Sequence, residues 1–301
     1  MISAIELMDR FQILLTQENT TYRFDDYLSP SYQLQTAHRH GEHTYTKHEA
    51  TTLSDHKTFW RSKLCAWMYF VVDDNDLSRE LVSISTAYMD RYLSKRWSNN
   101  CEDHQLLGMT ALYIAIKLHR HNGKCAGVSS FVKLSKGLFK EEDFLTMENN
   151  MLETLEWRMH PPTVFAYLDL LILFVPPKAC SSFTRKAMFE RIKFLLELSA
   201  TVQFFFAKKP SNVAIAAFIE VMEYPEEPRI LDLKYHAHFK KCILSIAGVN
   251  CDALEVAECR DAMAVVHSNY LRDKGDDMDV RKNCVDTSPT RPNGHVTVVS
   301  P

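Results

Sequence analysis

The chain has 301 residues, 46% of them hydrophobic and 24% charged, enough to bury one or two sizeable cores. Its 35 Lys and Arg against 38 Asp and Glu leave a net charge of −3, which gives no whole-surface cationic field for nucleic acid or an anionic membrane. Eight glycines, none paired as G-x-G and none in a G-x-x-x-x-G-K-[ST] run, exclude the common phosphate-cradling loops.

Residues 1–52 read as an N-terminal extension, with a short amphipathic helix over Ile5 to Leu15 followed by a polar stretch. The stretch holds His38, His40, His43 and His48, an H-x-H-x-x-H-like cluster. Without a helix to fix ligand geometry or a cysteine nearby, it reads as a solvated linker, and no metal is expected. The opening residues, Met1 to Phe11, lack a basic segment followed by an apolar one, so no secretory signal is expected. The eight cysteines are scattered without C-x-x-C and are expected as free thiols packed like small hydrophobes.

From Ser54 onward the apolar pattern is helical, with almost no strand-like alternation. Helices are predicted near 54–73, 77–95, 103–119, 128–136 and 141–157, then 163–175, 181–202, 211–223, 235–247 and 252–272. The tandem prolines of Met159-His160-Pro161-Pro162 cannot continue a helix and mark a boundary between two five-helix halves, 53–160 and 161–272. Each half has one helix rich in small residues, with Gly108, Ala111 and Ala115 in the first and Ala214 and Ala217 in the second. Small side chains let neighbours approach closely, so these two helices should be central, and the echo suggests an internal repeat. The longest apolar run, Leu170 to Val175, ends at Pro176 and Pro177, far too short to cross a bilayer. Residues 273–301 are polar and read as a disordered tail.

No G-x-S-x-G, H-E-x-x-H, Cys/His or paired-carboxylate arrangement supports catalysis, so neither an enzyme nor a cofactor is expected. The informative residues are charges set into apolar helix faces. Arg61 lies among Leu64, Cys65 and Met68, and Asp90 among Thr86, Met89 and Leu93. A buried Arg–Asp pair between two helices would satisfy both; exposure at helix edges would serve equally on spacing alone. Lys117 ends the apolar run LLGMTALYIAIKL, where a cation complements the negative end of a helix dipole. Glu148, between Leu145 and Leu152, borders an apolar strip and reads as a rim residue.

Taken together, Arg61-Ser-Lys-Leu-Cys-Ala-Trp67, Tyr88-Met-Asp-Arg-Tyr-Leu-Ser94, Gln105-Leu-Leu-Gly with Lys117, Phe144 to Trp157 and Pro162-Thr163 resemble the cyclin box of cell-cycle cyclins. The stretch 197–218 is similar to the second box, and two phrases, WRMHPPTVFAYL and ATVQFFFAKKPSNVA, resemble D-type-like cyclins of plants and algae, although the L-x-C-x-E motif frequent in D-types is absent. The resemblance implies two tandem all-α cyclin folds and a regulatory subunit that binds and activates a cyclin-dependent kinase in the nucleus and cytoplasm. It assigns kinase contacts to Lys117 and Glu148 and a structural ion pair to Arg61 and Asp90. Trp60, Leu64 and Trp67, with Gln105, match the patch that docks R-x-L motifs of substrates and inhibitors, but Lys63 stands where an apolar residue is usual and would repel the motif's arginine. Leu118-His119-Arg120 and the short insertion after it also depart from the family's pattern, which bears on kinase choice. Ser288-Pro289-Thr290-Arg291 fits the S-P-x-R pattern of a regulatory phosphosite. The alternative is a cyclin fold of the general-transcription-factor type that binds DNA, whose usual zinc ribbon and basic surface are missing from the chain; no nucleic-acid or membrane partner is therefore expected.

Overall fold

The computed structural model describes residues 3–39, 46–96, 101–119, 127–223 and 233–283. Among these the secondary structure is helical, and no helix is long and apolar enough to cross a membrane. In chain order the helices are α1 (Ala4–Asn19), α2 (Pro30–Arg39), α3 (Lys47–Asp74), α4 (Glu80–Lys95), α5 (Cys101–His119), α6 (Val128–Leu134) and α7 (Glu141–Thr154), then α8 (Val164–Leu171), α9 (Ser182–Ser199), α10 (Pro210–Glu223), α11 (Leu233–Ala247) and α12 (Leu254–Asn283).

Side-chain caps explain four of the starts. Ser3 accepts from the Glu6 amide at 3.1 Å, Thr163 from Ala166 at 3.0 Å and Ser181 from Thr184 at 3.0 Å. Thr46 and Glu49 form a reciprocal capping box that begins α3 at Lys47, seven residues before the helix expected from Ser54. At the other end of the first half, α7 stops at Thr154 rather than 157. Glu156 and Trp157 adopt left-handed backbone (φ 55 and 58), which ends a helix before the prolines are reached.

Two hydrophobic cores result. In the first, α5 is buried on every side from Leu107 to Ile116, surrounded by α3, α4, α6 and α7. A Cβ added to Gly108 would lie 2.9 Å from Leu64 Cδ2, so this position has to be small for α3 to sit where it does. The second core surrounds α10, with Ala214 and Ala217 wholly buried and α8, α9 and α12 packed against it. The small-residue helices are the central ones, as their composition suggests.

The N-terminal extension differs from its expected form. It contains two helices, and both halves claim part of it. Leu7 and Phe11 on α1 enter the second core, where Phe11 meets Tyr167 and Phe174 with ring centroids 5.3 and 6.0 Å apart. Tyr27 and Leu28 belong to the first core, and α2 packs on α3. The polar stretch is thus partly structural: Gln33 is fully buried, donating to the Tyr27 carbonyl and accepting from Lys57 at 3.2 Å. Of the histidine cluster, His48 is exposed on α3, while His40 and His43 lie outside the described residues. No group of three or more His, Cys, Asp or Glu among the described residues could hold a metal ion. At the other terminus α12 continues to Asn283, into the segment expected to be a disordered tail from 273; residues 284–301, including Ser288, lie outside the described residues.

Candidate functional site

Lys117 stands at the C-terminal end of α5 and Glu148 in the middle of α7, two helices that pack side by side. Their side chains meet, with Lys117 Nζ 2.9 Å from Glu148 Oε1. The two are unequal: the Lys117 side chain is 44% exposed, but that of Glu148 only 9%. Glu148 is therefore a buried acceptor beneath the surface rather than the rim residue its sequence position suggests, and it holds the lysine ammonium, which also lies 5.5 Å from the Tyr113 ring centroid. On the same helices, Leu118, next to Lys117 on α5, and Leu145, one turn before Glu148 on α7, leave large apolar side chains exposed, as do Leu134 at the end of α6 and Leu138 in the turn after it.

The second charged pair is internal. Arg61 Nε and Nη2 contact Asp90 Oδ1 and Oδ2 at 2.9 and 2.8 Å, with side chains 10% and 4% exposed. Burial works against the guanidinium, and Asp90 more than offsets it, holding Arg61 above its ordinary range. Sequence reasoning missed what else converges here. The Tyr27 hydroxyl donates to Asp90 at 2.9 Å, Arg61 Nη1 donates to the Ala200 carbonyl at 3.1 Å, and the guanidinium lies 4.8 Å from the Phe206 ring centroid. The pair therefore ties the extension and both cores together. Arg91 plays a parallel part, donating to the Arg158 carbonyl at 2.8 Å and stacking 4.6 Å from the Tyr22 ring.

The expected docking patch is only partly on the surface. Leu64 is 6% exposed and packs on Gly108, so it belongs to the core and not to an apolar floor. Trp60 and Trp67 are half-buried; Trp60 donates to His56 at 3.1 Å and Trp67 packs against the first core. Gln105 is half-buried on α5, one turn before Gly108, and Lys63 is exposed with its ammonium 5.2 Å from the Phe59 ring. The patch lacks one of its expected apolar members and carries a cation on its edge.

Two all-α cores, each built around a small-residue helix and joined at a proline pair, define a tandem cyclin fold. Residues 31–160 match the family described as Cyclin, N-terminal domain, so this part of the chain is similar to the cyclins. Among curated relatives it is 31% identical over 96 residues to cyclin puc1 of Schizosaccharomyces pombe, covering 32% of this chain and 26% of that one. It is 29% identical over 113 residues to the G1/S-specific cyclin-E1 of Mus musculus (37% and 27% covered) and 28% over 181 residues to cyclin-B1-1 of rice, Oryza sativa subsp. japonica (60% and 39%). The chain thus spans between about a quarter and two fifths of these relatives' length. Among solved structures it superposes on a viral cyclin from herpesvirus saimiri with a TM-score of 0.54 at 16% identity (70% of this chain, 85% of that one). A chain of the yeast TFIIK complex gives 0.56 at 13% (82% and 98%), and both likenesses concern the fold.

Proposed function

We propose that the chain is a regulatory subunit that binds and activates a cyclin-dependent protein kinase and so controls cell-cycle progression, working in the nucleus and cytoplasm. The observation that carries this reading is the Lys117–Glu148 pair, 2.9 Å apart, with the exposed apolar side chains of Leu118 and Leu145 on the same two helices. Phosphoryl transfer by such kinases needs an internal Lys–Glu pair, which forms only when the kinase's C helix is turned inward. A partner that binds the helix-in state alone shifts the population toward it without chemistry of its own. Lys117 would donate to main-chain carbonyls beside that helix, with Glu148 fixing the ammonium's direction. The DNA-binding alternative has less support, since the first turn of α7 carries Glu141, Glu142 and Asp143, charges that repel phosphate.

The test is the double variant Lys117→Ala/Glu148→Ala, which strands neither charge and should therefore fold like the parent. Losing bonds to desolvated main-chain groups costs about 1–3 kcal/mol each, so affinity for the kinase should fall roughly tenfold or more. Purified variant should fail to stimulate phosphorylation by the kinase that co-purifies with the parent chain. Stimulation equal to the parent's would rule the pair out as the kinase contact.

A further inference from the structure

The second half carries a surface cavity that the kinase-binding reading does not use. It has a volume of about 410 Å3 and lies between α9 and the turn that follows α8, with apolar walls from Ile172, Pro177 and Phe189. Its shape is held by Arg185, in the first turn of α9, which donates to the carbonyls of Ile172 at 3.0 Å, Val175 at 3.0 Å and Pro176 at 2.9 Å. All three acceptors are neutral, so the guanidinium fixes the turn while its charge stays unneutralised. Lys186 lines the same cavity, and Lys178 follows Pro177; both are exposed. None of the three cations has a carboxylate partner among the described residues, and the lining contains no acid. Next to lining residues in the chain, Leu173 is 47% exposed and Phe183 82%.

An apolar hollow with cations on its edge and no anion in its lining is complementary to a partner that is apolar at one point and acidic around it. A small inorganic anion fits poorly, because Arg185 is already occupied by three carbonyls and the walls are hydrocarbon. We infer that this cavity docks a short acidic peptide segment of another protein, seating a Leu or Phe side chain between Ile172 and Phe189 and setting Asp or Glu against Lys178 and Lys186. Leu173 and Phe183 extend the apolar contact along the peptide. The surface is separate from Lys117 and Glu148 in sequence, and its occupation does not require that the chain activate a kinase.

The experiment titrates the full chain into a fluorescein-labelled peptide with Leu and Phe among glutamates, alongside a twin with lysine at every glutamate. The acidic peptide should bind, more weakly as salt is added, and the basic twin should not. The variant Lys178→Glu/Lys186→Glu, altered only at exposed positions, should melt like the parent, bind the acidic peptide about tenfold more weakly and prefer the basic twin. Cys180 lines the cavity and supplies a local readout: its alkylation by iodoacetamide should slow when the acidic peptide is bound. Equal binding of the twins, no binding of the acidic peptide up to about 1 mM, an unchanged preference in the double variant, or an unchanged Cys180 rate would each overturn the proposal.

Discussion

Asp90 receives Arg61 through two nitrogens and the Tyr27 hydroxyl, with its side chain only 4% exposed. Removing the guanidinium leaves a buried carboxylate with a phenol as its remaining partner, so Arg61→Ala should cost about 3 kcal/mol. A denaturation midpoint within about half a kcal/mol of the parent's would show that the charge is not stranded. Glu18 makes the opposite case. Its carboxylate accepts from the amide and hydroxyl of Ser211 at the start of α10, yet burial outweighs these bonds and raises its pKa above the ordinary value of 4.5. A carboxyl raised on folding contributes stability below its unfolded pKa and loses it as pH climbs through the folded value. Charged Glu18 is therefore a burden near neutral pH. Glu18→Gln keeps an acceptor for Ser211 and should melt higher than the parent near pH 7, with the gain vanishing below about pH 4; a lower melting temperature at neutral pH would reverse this reading. The Arg61–Asp90 pair is legible in the sequence because both charges interrupt apolar helix faces. Tyr27 is not, since it is 63 residues from Asp90 in a polar stretch with no periodicity. Glu148 shares that difficulty: its burial depends on α5, thirty-one residues away, which no local pattern reveals.

Helices announce themselves when their buried side is apolar, and α4, α5, α9 and α10 fall close to where periodicity puts them. α2 escapes the same reading because it buries Gln33 completely, a residue satisfied by hydrogen bonds rather than by hydrocarbon. Hydropathy cannot distinguish such a helix from a linker. α1 is recognisable as amphipathic, but nothing in its own residues says which core it serves. Its Phe11 is wholly buried between Tyr167 and Phe174, and Gln12 donates to the Ala247 carbonyl at 2.9 Å. Phe11→Ala should therefore cost about 3–5 kcal/mol, the range for emptying a packed aromatic site. Hydrogen exchange should show the loss first in α8 and α11, the helices α1 packs on. Faster exchange confined to α3 through α7 would mean that α1 serves the other core.

Across the molecule, contacts cross between the halves in both directions. Phe206 from the second half lies in the first core beside Tyr27, the Tyr69 hydroxyl donates to the Glu197 carbonyl at 3.2 Å, and Arg79 pairs with the Glu197 carboxylate. A fragment of residues 1–160 lacks Phe206 and the Ala200 acceptor, and should unfold at a clearly lower denaturant concentration than the full chain; an equal midpoint would show that the first core is self-sufficient. The same threading has a consequence for the order of events on the ribosome. α1 is made before the elements it packs on, because its binding surface includes Tyr167, Phe174 and Ala247 and is complete only 235 residues after Gln12. At roughly 5–20 residues per second, the nascent Phe11 waits on the order of 10–50 seconds with no pocket to enter. Throughout that interval the newborn protein displays an uncovered amphipathic helix, available to chaperones and to quality-control proteases, and only a chain that has passed Ala247 can withdraw it.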